Sequence, residues 1–366
     1  MPGRAKAGKR FGTRRRNGPS DAVEKLTTEN TENTEKIGFV FSVFSVPSVV
    51  KFLKTIALVL FLAFGLALAY QSPPAKPPRA MAITIDDLPY ASAGQPQFLP
   101  SAQRVTTEIL RVLKAHRAPA VGFVVEAKLN AAGESEARAA LLKQWVDAGA
   151  ILGNHTYSHP DFNAQTVKQF QDEILRGEVI TRRLMSVRKP YQLYFRHPMT
   201  HTGDTREKKE AIDKFLAARG YHIAPHTIEN SDFIFNAAYV RARLNDDKAL
   251  VKRLAETYLD YTTAVTNFAE QISPLVFRRE IPQTLLIHAN DITAGCLDEM
   301  LSRFEARGYR FIKLDEAMAD AAYQTKDTHV STHGPTWLFR WIKSLGMSVS
   351  FKGDPEPPQW VLDLYK

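Results

Sequence analysis

Residues Ala82–Pro89 read AITIDDLP, and this stretch decides how the rest of the chain is interpreted. An apolar run typical of a buried strand ends on two adjacent carboxylates, Asp86 and Asp87, and Pro89 then prevents the strand from continuing. Neighbouring like charges repel each other and are costly to desolvate. The pair therefore indicates a functional site at the end of this strand.

Downstream of this stretch, short apolar runs alternate with amphipathic stretches. This alternation predicts an α/β fold with a parallel sheet covered by helices, either open or closed. The form that we predict is a distorted (β/α)7-type barrel of parallel strands surrounded by helices. The seven predicted strands are Met81–Asp86, Ala120–Glu126, Ala150–Gly153, Gln192–Phe195, Tyr221–Ala224, Thr284–His288 and Arg310–Leu314.

Helix-ending signals accompany the amphipathic stretches. Ser101 suits a helix N-cap, and Gly149, Gly220 and Gly308 stand where a glycine commonly follows the end of a helix. A helical insertion at about Tyr239–Ile272 interrupts the alternation before the sixth strand. The other predicted helices are Ser101–Ala115, Glu134–Ala148, Val167–Ser186, Thr205–Arg219 and Leu297–Arg307.

The charge distribution argues against a nucleic-acid-binding protein. The 366 residues carry a net charge of +9, but residues 1–70 hold 11 basic and 5 acidic residues and so account for +6 of it. The remainder has the charge balance of an ordinary globular surface, so electrostatic binding of phosphate backbones is not indicated. The single cysteine, Cys296, excludes an intramolecular disulfide and a thiolate-rich zinc site, and its apolar neighbours predict a buried core residue.

Residues 51–71, KFLKTIALVLFLAFGLALAYQ, have the pattern of an export signal. Lys51 and Lys54 form the basic end, and Ala67–Ala69 forms a small-x-small cleavage site. The apolar run of about 15 residues is short for a membrane span, which favours cleavage over a retained anchor. The predicted location is periplasmic or extracellular, at the cell surface.

These features divide the chain into five predicted parts. An extension that is disordered or mis-assigned upstream sequence (1–50) precedes the signal peptide (51–69), a Pro-rich linker (70–80), a catalytic domain (81–322) and a C-terminal tail that packs on the domain (323–366). Three tryptophans are expected to anchor the tail against outer helices, with a sugar-stacking platform as the alternative: Trp337, Trp341 and Trp360.

Chemically useful side chains recur where the predicted strands end. The carboxyl ends of parallel strands meet at one edge of an α/β fold, so we expect these side chains to share a rim. They are Asp86, Asp87, His155, His159, Arg196, Asp232 and His288.

His155 and His159 are one of four histidine pairs with four-residue spacing, which on a helix suits joint metal ligation. We interpret the other pairs as solvated or locally hydrogen-bonded, because two enclose a proline and one lies in the polar tail. Those pairs are His197/His201, His222/His226 and His329/His333. One carboxylate with the two imidazoles of His155 and His159 can hold a metal whose fourth position is open to water. The second carboxylate can then take a proton from that water, and the cation offsets the repulsion.

The ordered motifs resemble those of the polysaccharide deacetylases, carbohydrate esterase family four, over roughly Ala80–Ala322. TIDDLP is similar to the family's T-F-D-D-G-P motif, HTYSH to H-[ST]-x-x-H, and LLIHAND to the L-x-H motif. The resemblance implies a catalytic base, three metal ligands and a general acid, in that order: Asp86, then Asp87, His155 and His159, then His288.

Two motifs depart from the family pattern. R-x-P-[YF]-G is matched by RHPMTHTG, in which Arg196 and Pro198 fit and Met199 replaces the aromatic residue. The resemblance implies that Arg196 orients Asp86, while the Met199 main-chain N–H helps to hold an oxyanion and the groove wall differs.

The D-x-x-D-W motif is matched by residues 229–233, ENSDF. Asp232 is implied to pair with His288, whereas Phe233 lacks the indole N–H of the family's tryptophan. Leu88 also replaces the glycine of the first motif. These departures affect the substrate subsite more than the chemistry.

The implied activity is metal-dependent removal of N-acetyl groups from an acetylated amino-sugar polysaccharide or oligosaccharide, with release of acetate. The implied cofactor is one divalent metal, zinc, with cobalt or nickel as alternatives. The expected partner is an N-acetylated glycan, without nucleic acid, and membrane contact arises only through an uncleaved signal segment; the oligomeric state is left open. The alternatives are an O-acetyl (xylan-type) esterase and a non-catalytic glycan-binding protein of the same fold.

Overall fold

Strand β1 (Arg79–Leu88) lies inside the sheet, and nearly all of its residues are buried. Its continuous apolar run is what a strand covered on both faces requires. The computed structural model describes residues 50–51, 54–59, 79–92, 94 and 96–366. The predicted extension, signal peptide and linker therefore lie almost wholly outside the described residues, and among those described no helix has the length and apolar character to cross a membrane.

The sheet is parallel at every pairing among the described strands. Its order is β5-β4-β3-β2-β1-β7-β6, and β8 pairs with the first residues of β1. The predicted class, a distorted (β/α)7-type barrel of parallel strands surrounded by helices, is confirmed. The strands after β1 are β2 (Ala120–Val124), β3 (Ile151–Asn154), β4 (Leu193–Phe195), β5 (Tyr221–Ile223), β6 (Ile228–Glu229), β7 (Gln283–His288) and β8 (Tyr309–Ile312).

The two edges of the sheet, β5 and β6, are joined by residues 224–227 alone. Five Cα steps span at most about 18 Å, so the edges lie near each other and the sheet curves into a half-barrel. Strand β6 was not predicted, because two residues are too few to produce an alternating pattern. The register of the sheet pairs Asp86 with His288 and Asn154 with Phe195, so the strand ends are level at one rim.

Helices cover the sheet, and three of them end before glycines with left-handed φ, as predicted for Gly149, Gly220 and Gly308. Ser101 is not an N-cap. The first helix begins two residues earlier, after Phe98, because Pro100 suits the first turn. The helices are α1 (Leu99–Ala115), α2 (Ser135–Asp147), α3 (Val167–Arg176), α4 (Val179–Met185), α5 (Arg206–Ala218), α6 (Asp232–Leu244), α7 (Lys248–Phe277), α8 (Asp291–Ala306), α9 (Leu314–Met318), α10 (Trp337–Ser344) and α11 (Gln359–Tyr365).

The single helix predicted at Val167–Ser186 is instead the pair α3 and α4. Gly177 separates them, and a side chain there would overlap the main chain of Thr156. Helix α4 then begins where the buried Glu126 carboxylate accepts hydrogen bonds from two main-chain N–H groups, at 3.0 Å from Ile180 and 2.7 Å from Thr181. The predicted second strand therefore stops short of Glu126, which serves this helix start instead.

The predicted helical insertion is longer than expected and consists of α6 and α7. Helix α6 begins at Asp232, seven residues before the predicted Tyr239, and so brings a carboxylate to the rim. Helix α8 likewise begins at Asp291 rather than at Leu297. Its cap is Asn290, whose side chain accepts from the main-chain N–H of Thr293 at 2.9 Å.

Residues after α9 pack against the outer helices. Trp337 and Trp341 are buried, and the Arg253 guanidinium stacks over the ring of Trp360 at 3.9 Å. This arrangement favours anchoring over a sugar-stacking platform for the three tryptophans. Cys296 is buried, as predicted.

Candidate active site

A cavity of about 560 Å³ opens at the rim formed by the carboxyl ends of the strands. Seven of the ten predicted site residues line it, while Arg196, Asp232 and Pro198 are buried behind its wall. The predicted residues that line it are Asp86, Asp87, His155, His159, Met199, Phe233 and His288.

One carboxylate and two imidazoles converge on a common point in this cavity. The Asp87 Oδ1 atom lies 3.7 Å from His159 Nε2 and 3.9 Å from His155 Nε2, and the candidate ligand atoms all lie within 4.8 Å of one another. Ligands about 2.1 Å from a tetrahedral ion stand roughly 3.4 Å apart. Asp87 Oδ1 is buried without a hydrogen-bond partner among the described residues. An unpaired carboxylate oxygen facing two nitrogen ligands fits a divalent cation such as zinc.

The two imidazoles are presented by a turn, not by the helical spacing considered for them. Thr156 and His159 both have left-handed φ, at 66° and 60°. The side chain of Asn154, the last residue of β3, accepts from the Thr156 main-chain N–H at 2.7 Å, and Thr156 Oγ1 accepts from that of His159 at 3.0 Å. These bonds hold the non-helical turn in place.

The orientation of His155 is fixed from outside the cavity. Its Nδ1–H donates to the main-chain carbonyl oxygen of Arg196 at 2.8 Å, which leaves Nε2 free to act as a ligand. Burial lowers the pKa of His155 well below its usual range, so the ring is neutral as ligation requires.

Lys128 is a member of the site that sequence reasoning missed. Its Nζ lies 3.2 Å from Asp87 Oδ2 and donates to the Asp87 main-chain carbonyl oxygen at 3.2 Å. With Oδ2 engaged in this way, only Oδ1 faces the imidazoles. Its position a few residues beyond the end of β2, at the same rim, was the available signal.

The two adjacent aspartates have opposite electrostatic environments. Burial raises the pKa of Asp86 to about 6, against the opposing effect of the Arg196 guanidinium. Burial also acts to raise the pKa of Asp87, but Lys128 and the neighbouring histidines outweigh it and lower that pKa. Two carboxylates with pKa values pushed apart are suited to different roles, a proton acceptor and a permanently charged ligand.

Asp86 is held from behind by Arg196, which is fully buried. Arg196 Nη1 lies 3.5 Å from Asp86 Oδ2, and its Nη2 donates to Thr84 Oγ1 at 2.9 Å. Asp86 Oδ1 is buried and has no hydrogen-bond partner among the described residues. The oxygen that Arg196 does not engage is thus the one available to accept a proton.

His288 and Asp232 form a second hydrogen-bonded pair next to Asp86. Asp232 Oδ1 accepts from His288 Nδ1 at 2.6 Å, and its Oδ2 accepts from the His288 main-chain N–H at 2.7 Å. Burial acts to lower the pKa of His288, but the Asp232 carboxylate outweighs it and raises that pKa to about 10. The imidazole therefore carries a proton over the neutral range.

Met199 and Phe233 form part of the cavity wall. Met199 is 49% exposed and has a left-handed φ of 53°, in a turn that begins at the buried Pro198. The Phe233 ring lies 6.3 Å from that of His288 and is 44% exposed. Two of the three departures from the family pattern, Met199 and Phe233, therefore lie at the cavity wall, whereas Leu88 is buried in the core.

The remaining paired histidines are not among the converging ligand atoms, although His197 lines the same cavity. His201 hydrogen-bonds to Asp161 Oδ1 at 2.7 Å, as the local interpretation expects. That interpretation is wrong for His197, which is buried with neither ring nitrogen paired. Its ring instead stacks on Phe170 at 6.0 Å, and burial lowers its pKa well below the usual range.

The chain is similar in sequence to known proteins. The model of the polysaccharide deacetylase family matches residues 74–214, which include Asp86, Asp87, His155, His159 and Arg196. A peptidoglycan-N-acetylmuramic acid deacetylase of Bacillus subtilis, PdaA, is 23% identical over 214 residues, or 58% of this chain and 66% of that protein.

Two solved structures are also similar. That of Bacillus subtilis PdaA, a family 4 carbohydrate esterase, has a TM-score of 0.43 and 21% identity over 66% of this chain and 81% of that one. That of a pseudoenzyme of the same esterase family from Bacillus anthracis has a TM-score of 0.42 and 18% identity, over 67% of this chain and 66% of the other.

The resemblance to the polysaccharide deacetylases that the motifs indicated is confirmed by the match to the family model, which covers residues 74–214 of the chain. Asp232 and His288 lie beyond the matched residues. Strand register brings His288 to the same cavity, and the start of α6 places Asp232 directly behind it.

Proposed function

We propose that this protein hydrolyses the N-acetyl groups of an amino-sugar glycan, with Asp87, His155 and His159 holding one divalent metal. The observation that carries the proposal is the convergence of three ligand atoms within 4.8 Å, beside a second carboxylate whose Oδ1 is buried and unpaired. A metal bound there would supply Lewis acidity to polarise the acetyl carbonyl. Zinc fits the nitrogen and oxygen donors, and cobalt or nickel are alternatives.

Residues of the protein carry out the remaining steps, which are proton transfer, oxyanion stabilisation and substrate positioning. Asp86 Oδ1 accepts the proton of the attacking water, and Arg196 keeps the carboxylate turned towards it. The Met199 main-chain N–H, which has no protein acceptor among the described residues, donates to the developing oxyanion. Pro198 begins the turn that carries this N–H, and Phe233 packs against the sugar.

His288 donates the proton that the departing amine needs. Its Nδ1 is held by Asp232, so the proton available for transfer is on Nε2. The amine and acetate are the products. Protonation of the leaving nitrogen is required because an amide anion is a very poor leaving group.

The Asp232→Asn variant tests the assignment of His288 as the general acid. The protonated form of His288 is active, so wild-type activity is expected to fall only as pH rises through about 10. Without the Asp232 carboxylate, less opposes the effect of burial, so the pKa of His288 falls and the alkaline limb moves to lower pH. A kcat/KM profile from pH 5 to 10 measures this shift; an unmoved limb contradicts the assignment.

An acetate-release screen tests the function itself. The purified protein is given N-acetylglucosamine oligomers, peptidoglycan strands and O-acetylated xylan, each with and without a chelator. We expect release from an N-acetylated substrate that stops with the chelator and returns with zinc. Release from xylan alone would indicate the esterase, and tight binding without turnover in metal-loaded protein would indicate the non-catalytic alternative.

Action on a cell-wall glycan implies export, to the periplasm or cell surface. The relative PdaA is named for its action on peptidoglycan, which supports the same location. The signal peptide (51–69), the catalytic domain (81–322) and the tail (323–366) are part of this proposal. The mass of the mature protein tests the cleavage after Ala69.

A further inference from the structure

The C-terminal segment outside the family match contributes directly to the cavity. Gly334 lines the cavity next to Met199 and Thr200. The loop before α10 that contains Gly334 is hydrogen-bonded at both ends. Asn163 Nδ2 donates to the Thr332 carbonyl oxygen at 3.0 Å, and the Trp337 main-chain N–H donates to the His226 carbonyl oxygen at 2.8 Å. We refer to residues 331–336 as the tail loop.

The tail loop is also anchored by a buried charge cluster. Arg340, on α10, is buried and pairs with Asp327 at 2.8 Å, and it also bonds Thr202 Oγ1. Asp327 in turn lies 3.2 Å from Lys209 Nζ on α5. These bonds connect the segment to the chain just after Met199, so the loop is held against the cavity and is not a free end.

Gly334 meets the Met199 peptide at a point where no side chain fits. A Cβ at Gly334 would overlap the carbonyl oxygen of Met199 and stand 2.8 Å from Thr200 Cβ. Met199 and Thr200 are two consecutive non-glycine residues with left-handed φ, 53° and 56°. Non-glycine residues keep this conformation only where the surrounding structure stabilises it. The tail loop is part of those surroundings.

We infer that Gly334 is a positioning residue for the reaction: the tail loop packs against the Met199 carbonyl and so holds Met199 in its left-handed conformation, on which the direction of the Met199 N–H depends. This inference rests on the proposed function, in which that N–H receives the developing oxyanion. An oxyanion donor acts in the transition state rather than in ground-state binding. Displacing the peptide should therefore lower kcat and leave KM nearly unchanged.

The Gly334→Ala variant is the test. Gly334 does not itself have a left-handed φ, so alanine adds only the Cβ. With N-acetylglucosamine oligomers as substrate, we expect kcat to fall by about 10- to 100-fold, with KM within about twofold and zinc content unchanged. Gly346→Ala, in the same segment, is the control: its Cβ enters open space, although its φ of 65° strains alanine. That variant should keep its kcat even if it loses stability.

A second variant covers the case in which Gly334→Ala does not fold. Asn163→Ala removes the hydrogen bond to Thr332 and loosens the tail loop without crowding Met199, so a smaller, severalfold loss of kcat is expected. An unchanged kcat in Gly334→Ala, a change confined to KM, or an equal loss in Gly346→Ala overturns the inference. If the wild type itself releases no acetate, the proposed function fails instead.

Discussion

Replacing Asp86 with asparagine is expected to abolish acetate release while the metal content stays at the wild-type level. The buried, unpaired Oδ1 of Asp86 is the proton acceptor, and an amide cannot take that role. Loss of a general base lowers kcat by about 10²- to 10⁴-fold. Asp86 is not one of the three converging ligands, so bound zinc, measured by elemental analysis, should remain.

Asp87→Asn is the matched comparison for Asp86→Asn, because it makes the same substitution at the neighbouring residue. It removes the ligand oxygen and is expected to lose both the metal and the activity. Asp161→Asn, which alters a carboxylate that pairs with His201 outside the cavity, should retain both. If Asp86→Asn loses zinc and Asp87→Asn keeps it, the two aspartates have been assigned the wrong way round.

The sequence was informative wherever the pattern was local and repeated. Buried parallel strands leave apolar runs, and seven of the eight observed strands end within two residues of the predicted ends. Because function in such a fold gathers at the strand ends, Asp86, His155 and His288 could be placed at one rim without knowledge of the sheet order. The parallel register of β1 and β7, which sets Asp86 beside His288, supplied the rest.

The features that could not be predicted from the sequence arise from contacts between segments that are far apart in the chain. Lys128 reaches Asp87 only because β2 lies beside β1, and a lone lysine has no pattern. The break at Gly177 reflects the close approach of the Thr156 main chain, about 20 residues away in sequence. Gly334 meets Met199 across more than a hundred residues. Such contacts are fixed by tertiary packing, which local propensity does not encode.

Replacing His155 with glutamine is expected to remove the metal and, with it, all acetate release. Glutamine can still donate to the Arg196 carbonyl oxygen and roughly conserves volume, so the change mainly deletes the Nε2 ligand. With two of three ligands left, zinc affinity should fall by at least about 100-fold, more than the loss expected from disturbing an outer partner. His201→Ala, at a histidine that is not among the three converging ligands and does not line the cavity, should leave zinc affinity unchanged.

Thermal unfolding gives a readout of the same change that does not depend on catalysis. A ligand that binds only the folded state at 100 times its Kd stabilises the protein by about 2.7 kcal/mol. For a domain of this size that corresponds to an increase in Tm of roughly 5 °C or more. Zinc should therefore raise the Tm of the wild type and of Asp86→Asn but not that of His155→Gln. An equal rise in all three would mean that zinc binds elsewhere, and the three-ligand site would have to be abandoned.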